Sequence, residues 1–233
     1  MSRRLPAAFL LLPAVTFGLG TWQVYRHEWK KALIAARAEQ LRAAPVDIRE
    51  LQRLGPDAVP EYARVHASGR FRRDGEQFLG PRSNAGKPGY MVLTPLELSP
   101  GELVLVNRGW IPMAAFTERS AISAWKQAAN YDREVDVVGC VRHGEKKPWW
   151  QSDRGAADST IWAYRDLVGM AERAGTYTGF MVDRDEVPET ASVPDMPVGG
   201  LARSPLSNRH LEYIVTWYSL TAGQLLLWFL KRA

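Results

Sequence analysis

The chain has 233 residues, 46% of them hydrophobic, with 30 basic and 25 acidic side chains and a formal charge of +5. That length gives one domain, or one domain with appendages, and enough apolar side chains for a packed core. Charges of both signs are interspersed, without the Lys/Arg block that grips a phosphate backbone, so nucleic acid is not an expected partner. Cys140, the single cysteine, excludes an intramolecular disulfide and a cysteine-built metal site within one chain.

Leu5 to Tyr25 is an uncharged apolar run of 21 residues, long enough to cross a bilayer core of about 30 Å as a helix. A cleaved signal peptide competes with that reading. Arg3 and Arg4 would form its basic start and Gly18-Leu19-Gly20 its small-x-small cleavage site. Against cleavage, the helical pattern continues past the run. Over Glu28–Arg42, Trp29, Leu33, Ala36 and Gln40 share a face opposite Lys and Arg, and Pro45 disfavours helix in the residue before it.

After Pro45 the period changes. The segments 61–71, 76–80, 89–98, 103–112, 134–144 and 177–183 are short, rich in Val, Leu, Tyr and Phe, and separated by Gly, Pro, Asp and Asn. These are strand and turn signals. Asp166 to Gly175 reads as one short helix with an Asp N-cap and a Gly stop. Gly55–Pro60, Pro148–Ser159 and Val187–Asn208 read as loops. The middle of the chain is therefore expected to be a small antiparallel β-barrel or sandwich with one short helix.

Leu211 to Leu230 is the second apolar run, 20 residues with one charge, Glu212. It also matches a span, with a buried core helix as the alternative. The expected organisation is a transmembrane helix over 5–25, its helical extension over 26–44, a soluble β-rich domain over 45–209 and a second transmembrane helix over 210–230. Both tails are basic: Arg3 and Arg4 precede the first span, and Lys231 and Arg232 follow the second. Residues 26–209 are nearly neutral, with 26 basic and 24 acidic residues. The positive-inside tendency then places both tails on the matrix or cytoplasmic side and the middle across the membrane. Trp22 and Trp29 bracket the exit of the first run, and Trp217 and Trp228 lie within the second, Trp228 close to its end; tryptophans near such ends fit interfacial belts. Ala14 with Gly18, and Ser219 with Gly223, offer small-xxx-small faces on which the spans could pack.

No H-x-x-x-H, G-x-S-x-G, P-loop or G-x-G-x-x-G motif occurs. Asp153 and Asp158 fit solvated loop positions, His66 a strand and His143 a turn. A membrane-tethered enzyme would need a nucleophile–base pair that the spacing does not propose. His210 is different because it opens the second span. On a helix it shares a face with Tyr213, Ile214 and Trp217, with Arg26 and Arg209 within reach of the same boundary. An imidazole there can ligate haem iron, with aromatic walls for the porphyrin and arginines for its propionates. It can equally do no more than cap the helix and reach to water. Glu212 suits the positive end of the helix dipole.

Five blocks carry a resemblance: "GLGTWQVYRHEWK" at 18–30, "LGPR" at 79–82, "LVLVNRGWIP" at 103–112, "WAYRDL" at 162–167 and "NRHLEYIVTWYSL" at 208–220. In order and approximate spacing they resemble the Surf1/Shy1 family, most of all its mitochondrial members. The resemblance implies a non-enzymatic, two-span inner-membrane factor for assembly of cytochrome c oxidase, its soluble part in the intermembrane space or the bacterial periplasm. It implies partnership with core subunit 1 and other oxidase subunits or assembly factors, and work around haem a, with His210 in the place of a haem ligand. A permanent structural subunit of the respiratory complex, without haem handling, is the competing reading. Within the shared blocks, Trp22, Gln23, Asn107, Arg108 and Trp110 are candidate partner contacts. The last three could equally form a tight turn closing the barrel, with Trp110 filling the core. The chain departs from the family pattern at Met196, where a glycine is expected, and at Ala163, where several relatives are expected to carry histidine. It also has only a few residues ahead of its first span, which implies a mature form or another targeting signal.

Overall fold

The computed structural model describes residues 7–114, 131, 133–149, 160–185, 197–203 and 206–232. The chain divides into two compact units, residues 1–38 with 205–233, and residues 39–204. Asp153, Asp158 and Met196 lie outside the described residues.

The first unit is built on two helices. α1 runs unbroken from Leu11 to Arg42, so the expected span and its extension are one helix. Pro13 sits in its first turn, where a missing N–H removes no intrahelical bond. α4 runs from His210 to Arg232. Both helices are long and apolar enough to cross a membrane, and only 17% and 11% of their apolar windows are buried. A soluble core helix would hide most of that surface. This is a membrane protein.

The second unit is β-rich. Its strands are β1 (Val46–Asp47), β2 (Arg64–Phe71), β3 (Gln77–Asn84), β4 (Lys87–Ser99), β5 (Glu102–Pro112), β6 (Glu134–Arg142), β7 (Ile161–Trp162) and β8 (Met181–Arg184). Every expected strand segment holds one; the two-residue β1 and β7 are additional. β2, β6, β8, β5 and β4 pair in that order, and β4 returns to β2 through Arg70↔Glu97 and Phe71↔Leu96, closing a five-stranded barrel. Neighbours cannot alternate direction all the way around a ring of odd number, so one pair must be parallel. Here it is β5–β8. The 13-residue β4 makes closure possible, since its first part pairs with β3 and its far end with β2.

Period-two alternation splits the core. Val92, Val104, Val106 and Val182 belong to one buried cluster, with Phe71, Val137 and Phe180. Their neighbours Leu93, Leu105 and Met181 belong to a second, with Leu79, Leu167 and Met170. Leu167 and Met170 come from α3 (Leu167–Ala174), which covers this face of the sheet. Asp166 accepts from Gly169 N–H at its start, and Gly175, at φ 65°, stops it. With both faces covered, β5 reads as a continuous apolar run. A further short helix, α2 (Ile48–Leu54), begins at Asp47, whose side chain accepts from Arg49 N–H, and buries Ile48 and Leu51.

Candidate functional site

On α1, residues 13, 16, 20, 23 and 27 follow a three-four spacing that keeps them on one face. Pro13, Thr16 and Gly20 are buried, although none of them is a large hydrophobic side chain. Thr16, Gly20 and Gln23 each meet α4. Thr221 donates to the Trp217 carbonyl at 2.9 Å, and its hydroxyl lies 2.8 Å from that of Thr16. Gln224 lies 3.3 Å from the same Thr16 hydroxyl. Gly20 carries the closest approach: a Cβ there would stand 2.7 Å from Tyr218 Cε1. Thr21 and Tyr218 share a hydroxyl contact at 3.2 Å, and Phe17 stacks obliquely on Tyr218 with ring centres 5.6 Å apart.

The last two levels are amide–imidazole pairs. Gln23 Oε1 lies 2.7 Å from His210 Nδ1. One turn further along α1, Asn208 Oδ1 lies 3.3 Å from His27 Nδ1, and Asn208 Nδ2 donates to the His27 carbonyl at 3.4 Å. A carboxamide oxygen only accepts, so His210 carries its proton on Nδ1. Its Nε2 makes no hydrogen bond among the described residues and holds the lone pair that binds metals. An axial haem ligand needs that form of imidazole, so His210 fits the group.

The residues expected around His210 are placed unevenly. Trp217 is half-buried, while Tyr213 is 53% exposed. Arg26 lies over the Trp29 ring at 4.2 Å, and its buried Nε has no partner among the described residues. Arg209 is exposed and pairs with Glu212 at 3.2 Å. The helices do not meet through the expected small-xxx-small faces. A Cβ at Gly18 or Gly223 would touch nothing within 4 Å, because those faces point away from the seam.

Trp22 is exposed on α1, whereas Asn107, Arg108 and Trp110 are buried in β5. The expected tight turn is a β-bulge inside a continuous strand. Val92 pairs with Gly109 and Leu93 with Asn107, so Arg108 is the extra residue. Arg108 stacks on Phe71 and Tyr131, with burial lowering its pKa against the charges of Tyr131 and Glu76. Trp110 donates to the Arg82 carbonyl at 2.9 Å. Asn107 donates to Asp183 at 2.9 Å and accepts from Gly109 N–H.

Asp183 anchors a network that the sequence reading missed. It also accepts from Arg142 at 2.7 Å, and Arg142 reaches Glu61 at 2.7 Å. Burial works against the Arg142 charge, but Asp183 and Glu61 raise its pKa above the ordinary value. Arg64 pairs with Asp185 at 2.6 Å, and Arg203 joins the same carboxylate at 3.0 Å. Arg165 donates to the His143 carbonyl, and Glu145 takes Arg82 at 2.6 Å. Burial pushes Glu145 up, but the Arg165 amide and the Arg165 and Arg82 charges outweigh it and hold the carboxyl below its usual range. Ala163 is exposed in a bend. Among the described residues no three His, Cys, Asp or Glu side chains gather as a metal site.

Comparison with known proteins finds the SURF1 family profile matching residues 10–222. A SURF1-like protein of Drosophila melanogaster is 36% identical over 94% of this chain and 75% of its own length. Surfeit locus protein 1 of Takifugu rubripes is 35% identical over 95% of this chain and 94% of its own. Surfeit locus protein 1 of Homo sapiens is 34% identical over 95% and 75%.

Proposed function

The chain belongs to the SURF1 family, and we propose that it is a non-enzymatic assembly factor for cytochrome c oxidase that holds haem a at the start of α4 for delivery to core subunit 1. It works in the mitochondrial inner membrane, or the plasma membrane of a bacterium. Both tails lie on the matrix or cytoplasmic side, and the β-rich unit lies in the intermembrane space or periplasm. The charge asymmetry of the tails supports that orientation.

The His210–Gln23 pair carries the reading. Haem a, when bound, supplies an iron that takes an imidazole nitrogen as axial ligand. His210 offers Nε2, while its Nδ1–H donates to Gln23 Oε1. Trp217 gives an aromatic wall beside it, and Arg26 a cation for a propionate. The test is the absorption spectrum of the protein purified from cells that make haem a, wild type beside His210→Ala. Haem bound to wild type and lost from the variant supports the role. A wild type without haem, or a variant carrying as much, removes it. Recovery with early oxidase intermediates supports an assembly role; stoichiometric recovery with mature oxidase would make the chain a permanent subunit.

A further inference from the structure

We propose that Gln23 is the positioning residue of this site: it decides which nitrogen of His210 is offered to iron and holds the ring in place. The inference rests on the haem-binding reading above and gives Gln23 a role inside the protein in place of a partner contact.

An imidazole has two nitrogens, and the bond made by one fixes what the other can do. Gln23 Oε1 at 2.7 Å from Nδ1 selects the Nδ1–H tautomer and leaves Nε2 as the nitrogen with the free lone pair. Gln23 is itself fixed from both sides along α1. Three residues before it, Gly20 lets Tyr218 approach; four residues after it, His27 is held twice by Asn208. Asn208 lies two residues before His210, so the same clasp fixes the chain leading into α4. The short bond therefore sits on a register set by its neighbours.

A neutral carboxamide suits this position. A carboxylate would also accept from Nδ1–H, but it would bring a charge to the edge of a candidate span and make the imidazole a more basic ligand. A leucine would keep the bulk and leave Nδ1 without an acceptor. The two substitutions therefore separate orientation from ligand strength.

The experiment uses the full chain in detergent from cells that make haem a, as wild type, Gln23→Leu, Gln23→Glu and His210→Ala. Haem a content and reduction potential are measured, together with the 15N-histidine NMR spectrum of the haem-free protein. Loss of an outer-shell partner typically weakens metal binding about 10–100-fold. Gln23→Leu is expected to retain haem that much more weakly and to move the His210 proton toward Nε2. Gln23→Glu is expected to keep the Nδ1–H form and the haem, at a more negative potential. If Gln23→Leu holds haem like wild type while His210→Ala holds none, the proposal falls and the haem reading stands. If His210→Ala holds as much as wild type, the haem reading falls and takes the proposal with it. An unchanged His210 tautomer in haem-free Gln23→Leu overturns the proposal whatever the haem content.

Discussion

Cys140 makes the stability of the β-rich unit fall in alkali by a calculable amount. The side chain is fully buried in β6. Burial first, then the Asp183 charge, pushes the thiol from its ordinary 9.0 up to about 12. The folded protein keeps its proton up to that pH, whereas the unfolded chain releases it near 9.0. Above pH 9 the unfolded state therefore binds fewer protons, and stability declines with rising pH. Relative to neutral pH, the two values give a loss of about 1.4 kcal/mol at pH 10 and about 2.7 kcal/mol at pH 11. Lysines and tyrosines titrate in the same range, so the quantity to measure is a difference. Urea unfolding of wild type and Cys140→Ala is followed in detergent from pH 7 to 11. The lost sulfur appears as a constant offset, and the thiol as a difference that shrinks by those amounts as pH rises. A difference independent of pH would refute the reasoning, as would rapid alkylation of folded Cys140 at pH 8.

Thr16→Cys with Thr221→Cys, in a Cys140→Ala background, should form an intramolecular disulfide on mild oxidation, because the two hydroxyls are 2.8 Å apart; a mass that retains two free thiols would break the proposed seam. Asp183→Ala leaves the Arg142 guanidinium and Asn107 without their shared carboxylate, and loss of one partner of a buried pair costs about 3–5 kcal/mol in urea unfolding. A cost below about 1 kcal/mol, the scale of exposed pairs, would show that water replaces the carboxylate. Gly109→Ala adds a Cβ 2.4 Å from the Val198 carbonyl carbon at φ 135°, whereas Gly101→Ala at φ 83° meets nothing within 4 Å. The first should destabilise by more than the roughly 1–3 kcal/mol of backbone strain alone, and equal losses at the two positions would contradict the packing between β5 and residues 198–199.

Much of the fold was legible because local signals coincided with tertiary ones. Asp166 and Gly175 bound α3 at the residues their chemistry suggests. The run "LVLV" announced a strand, and its lack of alternation is explained by a second buried face under Leu167 and Met170. α2 was missed because it rests on only two apolar anchors, Ile48 and Leu51, behind an Asp cap that a loop also tolerates. The parallel β5–β8 pair and the closing β2–β4 contact were not legible, since each rests on two residue pairs between segments far apart in the chain. Asn107 and Asp183 are 76 residues apart, and nothing local announces their bond.

The seam of the first unit was hidden for a different reason. In water an amphipathic helix buries its apolar stripe, so a search for the apolar face finds the packed one. In lipid the apolar face has no drive to leave its solvent, and small and hydrogen-bonding residues hold helices together, each such bond contributing about 0.6 kcal/mol. α1 follows that inverted rule. Leu11, Leu12, Val15, Phe17 and Trp22 are exposed, and Thr16 and Gly20 are buried. The expected pairs Ala14–Gly18 and Ser219–Gly223 have the correct residue type on the wrong face, since a motif of two small residues does not register their partner. The three-four stripe Thr16, Gly20, Gln23 and His27 was present in the sequence, and it is polar or small at every step. It ends where Gln23 and Asn208 each hold an imidazole. A stripe that loses apolar character toward one end of a span is costly in lipid unless each group finds a partner. The polar end of such a stripe is therefore where a ligand-holding side chain is most economically placed.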